Sequence, residues 1–160
     1  MAKFSFGRII SGEVKEGDSL PRSPWVVISQ RRITRFAQVT GDRNPIHLDP
    51  EFARRVGLSG TIAHGLLLIS LIPRLLGIEF PLEGQVLNRE IRWEFLNLVR
   101  SGDLVQLSAV VDKVKAGRRM IIVTLDLAME LKGLAGTKIE VLAAGIGFVK
   151  FVYVHPEVQE

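Results

Sequence analysis

Cysteine is missing from this chain of 160 residues. Disulfides, thiolate metal sites and a cysteine nucleophile are thereby excluded, and the composition suits a reducing cytoplasm, which is the expected location. Large aromatics with a polar handle are scarce, with one tyrosine and two tryptophans. Lysine and arginine outnumber aspartate and glutamate by 21 to 17, but the basic residues are scattered or paired rather than massed beside aromatics. A base-stacking nucleic-acid surface is therefore not expected, while an anionic small molecule remains compatible. No long hydrophobic run exists either. The most apolar stretch, residues 65–72, falls far short of the roughly 20 residues that cross a bilayer, so no membrane association is expected. The opening MAKFSFGRIISGEVKEG has no apolar run of signal-peptide kind. With no repeat and no linker-like tract, one domain over residues 1–160 is the expectation.

What is present reads as helices first and strands afterwards. SPWVVIS (23–29) is a short β run, and a helix starts near Ser29 with Ile33, Phe36, Ala37 and Thr40 on one inward stripe. Gly41 stops that helix. Asp49-Pro50-Glu51 opens a second, short helix, with Phe52 and Val56 as its buried pair and Gly57 at its end. GTIAHGLLLISLIPRLLG (60–77) is apolar nearly all round and holds a buried helix, which Pro73 ends or kinks. After Gly84 the period drops to two. Ile91, Trp93 and Phe95 alternate in one strand, and Val105, Leu107, Ala109 and Val111 in the next. A turn at AGR (116–118), a strand over 119–131, the connection KGLAGTK and a last strand over 140–154 follow. A single apolar helix followed by a long antiparallel meander suggests a sheet wrapped around that helix.

The stretch TGDRNPIHLD (40–49) concentrates turn formers and chemistry in one place. Pro45 fixes its own φ and keeps Asn44 extended, so the turn has little freedom and can hold Asp42 and His47 facing one point. A carboxylate and an imidazole there can share a water, one taking a proton while the other gives one, with the Asn44 amide orienting it. Gly-Asp and Asn-Pro are also ordinary turn dipeptides, and composition alone leaves both readings open. One histidine beside Asp42 and Asp49 lacks the repeated spacing of a zinc site, and no Gly-x-Ser-x-Gly elbow exists. Arg31, Arg32, Arg35, Arg54 and Arg55 read as solvated helix faces, His64 as a structural residue at a helix start, and Trp93 and Phe95 as core.

The run FAQVTGDRNPIH (36–47), with Ala53 six positions after the histidine, resembles the hydratase-2 signature of MaoC-like (R)-specific enoyl-CoA hydratases. GTIAHGLLLISLIP (60–73) is similar to that family's central-helix segment, and NREIRWEFLNLVRSGDLV (88–105) to its first long strand and turn. The resemblance covers roughly residues 25–152. It implies an α+β hot-dog fold, an antiparallel sheet around a central apolar helix, assembled as a homodimer. It also implies reversible addition of water to a trans-2-enoyl thioester, giving the (R)-3-hydroxyacyl thioester. In that reading Asp42 and His47 are the catalytic pair, Asn44 positions water, and the Gly65 N–H meets the thioester carbonyl. Neither cofactor nor metal is implied. The partner is an acyl thioester, on CoA or on a carrier protein. A carrier-protein dehydratase, an acyl thioesterase and a non-catalytic acyl-binding subunit are the alternatives. One departure stands out: LLLISLIPRLL occupies a stretch where some family members carry small polar residues, so the acyl pocket is expected to differ in length or shape.

Overall fold

Strict alternation of apolar side chains organises the molecule, whose computed structural model describes residues 15–73, 85–118, 120–133 and 141–154. Along β4 (Met120–Lys132) the residues Ile121, Val123, Leu125, Leu127, Met129 and Leu131 are all buried, while the intervening side chains face outward. β4 pairs antiparallel with β3 (Leu104–Ala116) on one side and with β5 (Val141–Val154) on the other. β2 (Gln85–Phe95) lies beyond β5, and the two-residue β1 (Val26–Val27) lies beyond β3, giving the order β1-β3-β4-β5-β2. Each fully buried Leu or Val on this face contributes about 1.5–3 kcal/mol.

Bulges curl the sheet. One between Val111 and Lys113 absorbs Asp112, so that Val114 returns to the inner face. Others absorb Arg89 in β2, between Asn88 and Glu90, and Ala144 in β5, opposite the step from Met129 to Glu130. In the first half of β5, Gly147 and Gly145 stand opposite Trp93 and Phe95. A Cβ on Gly145 would lie 2.5 Å from the Trp93 indole nitrogen, so the ring packs flat where these two residues have no side chain.

The helices precede the sheet. α1 (Gln30–Thr40) begins at Ser29, whose side chain accepts from the Arg32 N–H, and ends at Gly41 with φ 79°. α2 (Pro45–Leu48) and α3 (Pro50–Arg55) follow in close succession, and α4 (Gly65–Ile69) starts the apolar segment. Leu67, Leu68, Leu71 and Ile72 join the strand residues in one core, so the curled sheet does wrap this segment.

Several expectations need correcting. Thr40, the last residue of α1, is exposed, and its hydroxyl donates to the Phe36 carbonyl at 2.7 Å. α3 is too short to bury Val56, which is its C-cap and is exposed; Ala53 is the buried residue and Phe52 only half-buried. Residues 61–64 are extended, not helical: Ile62 bridges Arg100, and the Ala63 N–H donates to the Val99 carbonyl. The break expected at Pro73 does fall in the turn before it: helical structure is interrupted at Ser70 and Leu71 and returns at Ile72 and Pro73. Ile91 and Phe95 do sit on the core face of β2, opposite Val149 and Gly145, yet both are exposed. The AGR turn is present, with the Gly117 N–H donating to the Met120 carbonyl. Most of KGLAGTK lies outside the described residues.

Candidate active site

The loop between α1 and α2 is built from short polar bonds. The Asn44 N–H donates to Asp42 Oδ1 at 3.2 Å, and Asn44 Oδ1 accepts from the Ile46 N–H at 3.3 Å, capping α2. Pro45 occupies the first helical position, where its missing N–H costs nothing. One turn later this places His47 inward, only 7% exposed, while Asp42 and Asn44 face solvent. With Oδ1 engaged in the cap, the Nδ2 amide is the group Asn44 has left for a water.

A second layer holds the histidine. His47 Nδ1 lies 2.8 Å from the Ile62 carbonyl. A carbonyl oxygen only accepts, so Nδ1 carries the hydrogen and Nε2 keeps its lone pair free to take a proton. Gln30 Nε2 donates to the His47 carbonyl at 2.8 Å, and the Thr61 hydroxyl donates to Gln30 Oε1 at 2.7 Å. The extended segment 61–64 thus clamps the loop from the side opposite solvent.

That segment also delivers His64, 2% exposed, into the same place. Its ring stacks on His47 with centroids 3.8 Å apart and planes inclined by 29°. Donor atoms of Asp42, His47 and His64 all lie within 4.8 Å of one another. The set does not fit a metal ion. Stacked rings send their lone pairs side by side rather than onto one point. Gly65 follows His64 and opens α4, where the first N–H groups of a helix have no intrahelical acceptor. The Phe95 ring lies directly against it.

Of the residues singled out from sequence, Asp42 and His47 converge, Asn44 lies between them in the loop, and Gly65 is joined to the cluster through His64. Gln30, Thr61, His64 and Phe95 were not recognised as parts of the site. Only His64 left a trace, as the polar residue breaking an apolar run. Arg31, Arg32, Arg35, Arg54 and Arg55 are exposed; the Arg55 guanidinium lies 5.5 Å from the Phe52 ring centroid.

Beside the site, Asp49 caps α3 by accepting from the Glu51 and Phe52 N–H groups at 2.8 and 3.0 Å. The Phe52 N–H, with help from Glu51, Arg55 and Arg54, holds this carboxyl below the ordinary value of 3.8. A depressed folded-state pKa contributes stability above the unfolded value, and that contribution is lost as the pH falls through the folded one. Asp49→Ala is therefore expected to lower the melting temperature at pH 7, with the gap to the wild type closing below about pH 3.8 in paired thermal melts. A gap independent of pH would show that the carboxylate charge does not hold the cap.

A curled antiparallel sheet around a short apolar helix, with an aspartate and a histidine converging beside the helix start, defines a hot-dog protein. The MaoC like domain model matches residues 13–131, and the chain belongs to that family. It is 40% identical over 92 residues to the 3-hydroxybutyryl-CoA dehydratase of Methylorubrum extorquens, an alignment covering 58% of each chain. It is 43% identical over 54 residues to the (R)-specific enoyl-CoA hydratase of Aeromonas caviae, covering 34% of this chain and 40% of that one. These alignments span little more than half of such relatives at most. The solved (R)-hydratase of A. caviae superposes with a TM-score of 0.66 over 89% of this chain and 98% of that one at 24% identity, a likeness of fold.

Proposed function

We propose that the protein is a hydro-lyase adding water reversibly to a trans-2-enoyl thioester, CoA-linked in the first instance, to give the (R)-3-hydroxyacyl thioester. The observation carrying this reading is the meeting of the Asp42 carboxylate with the His47 ring, Nε2 lone pair free and Nδ1–H held by the Ile62 carbonyl. A water between them gives up a proton to the pair as its oxygen bonds to the β-carbon, and the pair returns a proton to the α-carbon. The pair ends as it began, and one water has been added. Charge builds on the thioester oxygen during the addition, and the N–H of Gly65 is the donor offered to it. Names of relatives support the substrate class: a 3-hydroxybutyryl-CoA dehydratase and an (R)-specific enoyl-CoA hydratase.

The test is to follow the ultraviolet band of a short trans-2-enoyl-CoA together with free thiol. Loss of the band without thiol release is the expected result. Thiol release would mean a thioesterase, and binding without turnover at several chain lengths an acyl-binding subunit. Turnover confined to carrier-linked acyl groups would move the substrate to a carrier protein.

A second copy of the chain is the partner we assign to β2. The opposite edge of the sheet is covered: the N–H groups of Gly17, Leu20 and Ser23 donate to carbonyls of β3. Beyond β2 no strand follows among the described residues; Leu87, Ile91 and Phe95 are exposed on it, and Leu96 and Leu98 just past its end. Such an edge invites pairing. Light scattering is expected to give twice the chain mass, and Leu87→Lys with Ile91→Lys to give the single mass; a wild-type monomer would refute the assignment.

A further inference from the structure

Among the described residues two buried side-chain nitrogens have no hydrogen-bond partner, Trp93 Nε1 and His64 Nδ1. The second belongs to a residue whose side chain reaches both members of the proposed pair. His64 Nε2 lies 3.1 Å from the Asp42 backbone carbonyl, and since that carbonyl only accepts, Nε2 carries the hydrogen. One face of the ring lies on the His47 imidazole, and the Phe36 ring is 5.1 Å away, tilted by 48°. His64 stands at the N-cap position of α4 but makes no side-chain cap bond there, so an ordinary helix-start duty does not explain the imidazole. Serine, threonine, asparagine or aspartate would cap better.

We infer that His64 is a positioning residue for the Asp42/His47 pair, an inference that rests on the hydro-lyase reading for its catalytic meaning. Asp42 itself is exposed and sits on a loop with no strand to hold it; the hydrogen bond from His64 fixes its backbone to the start of α4. His47 is held at Nδ1 by one hydrogen bond, about which an imidazole can still tilt. The stacked ring removes that freedom and keeps Nε2 pointed at one place. Gly65, the next residue, is covalently part of the same unit. Acid, base and the N–H donor are thus tied together by a single side chain. Small losses of such alignment are costly, since misplacement by about 1 Å can lower a rate on the order of 10²-fold.

Two variants separate the contacts. His64→Gln can still donate to the Asp42 carbonyl but has no ring to stack; His64→Phe keeps a ring against His47 but cannot donate. Each is expected to lower kcat at least about tenfold with KM changed less than about twofold. A merely structural role would lower the melting temperature and leave kcat of the folded fraction alone. A second readout does not depend on turnover. With three histidines in the chain, ring-nitrogen NMR resolves His47, expected in the wild type as one sharp tautomer with Nδ1 protonated and in His64→Gln as the same tautomer with signals broadened by ring motion, since the Ile62 carbonyl still holds Nδ1–H. If the wild type turns over no enoyl thioester, the hydro-lyase reading fails, and the NMR comparison alone decides the positioning. Folded variants with unchanged His47 ring signals, or with kcat within about twofold of the wild type, would overturn it.

Discussion

Asp42→Asn is expected to lower kcat/KM for enoyl thioester hydration by roughly 10²–10⁴-fold while leaving the loop intact. The asparagine oxygen can still accept the Asn44 N–H that Asp42 Oδ1 accepts at 3.2 Å, and the side chain is exposed, so neither packing nor capping is disturbed. Only the charge and the ability to exchange a proton are removed. His47→Ala is expected to lower the rate as much, but it also empties a buried position and leaves the Ile62 carbonyl without its donor, costing about 1–3 kcal/mol of stability. The aspartate variant is thus the cleaner test of chemistry, and the histidine variant needs its melt measured alongside. Because the proposed mechanism has the two groups act on one water, the double variant is expected to be little worse than either single one. Losses that multiply would show two independent roles, and an Asp42→Asn enzyme with full activity would remove the acid–base pair from the mechanism.

Local chemistry explains which features were legible in the sequence. α1 runs between Ser29 and Gly41 as expected, because a side-chain cap and a left-handed glycine act within a few residues of themselves. The strands were legible for a similar reason, since a face buried on one side writes a period of two. Failures came where a partner distant in sequence decides. Thr40 and Val56 lie at helical spacing from buried residues, but their helices stop before the core reaches them. Ile91 and Phe95 belong to the inner face, as their alternation says, yet alternation names a face without saying what covers it.

The site divides along the same line. Asp42, Asn44 and His47 lie within six consecutive residues, and Pro45 limits how they can be arranged. His64 and Thr61 reach the site only because the segment 61–64 runs between the loop and Val99, with the Ile62 N–H on the Ile46 carbonyl at 3.2 Å, and Gln30 enters from the start of α1. No spacing rule writes that contact. The orientation of the His47 imidazole therefore depends on a backbone carbonyl, Ile62, that any residue could supply and no motif could flag.

Gly65→Ala is the other substitution expected to have a large effect, and stability and activity should part company. A Cβ there would come within 2.6 Å of Phe95 Cζ, 3.0 Å of Cε2 and 3.2 Å of Cε1. The clashing atoms are the far end of a side chain 47% exposed, which can swing aside, whereas overpacking a closed core costs about 1–3 kcal/mol. Replacing glycine by alanine in a helix returns up to about 1 kcal/mol of propensity, so the net change in stability should be small. Activity should not survive as well. A methyl beside the N–H hinders the close approach of a carbonyl oxygen, and losing one such donor costs about 10²–10³-fold in kcat. Two routes lead to that loss, the methyl itself or the displaced phenyl ring, and Phe95→Ala separates them. If the methyl obstructs the donor, Gly65→Ala with Phe95→Ala stays as slow as Gly65→Ala alone. If the ring does so when pushed, the double variant recovers to the level of Phe95→Ala. A fully active Gly65→Ala enzyme would place the carbonyl away from this N–H and leave the glycine as a packing residue under Phe95.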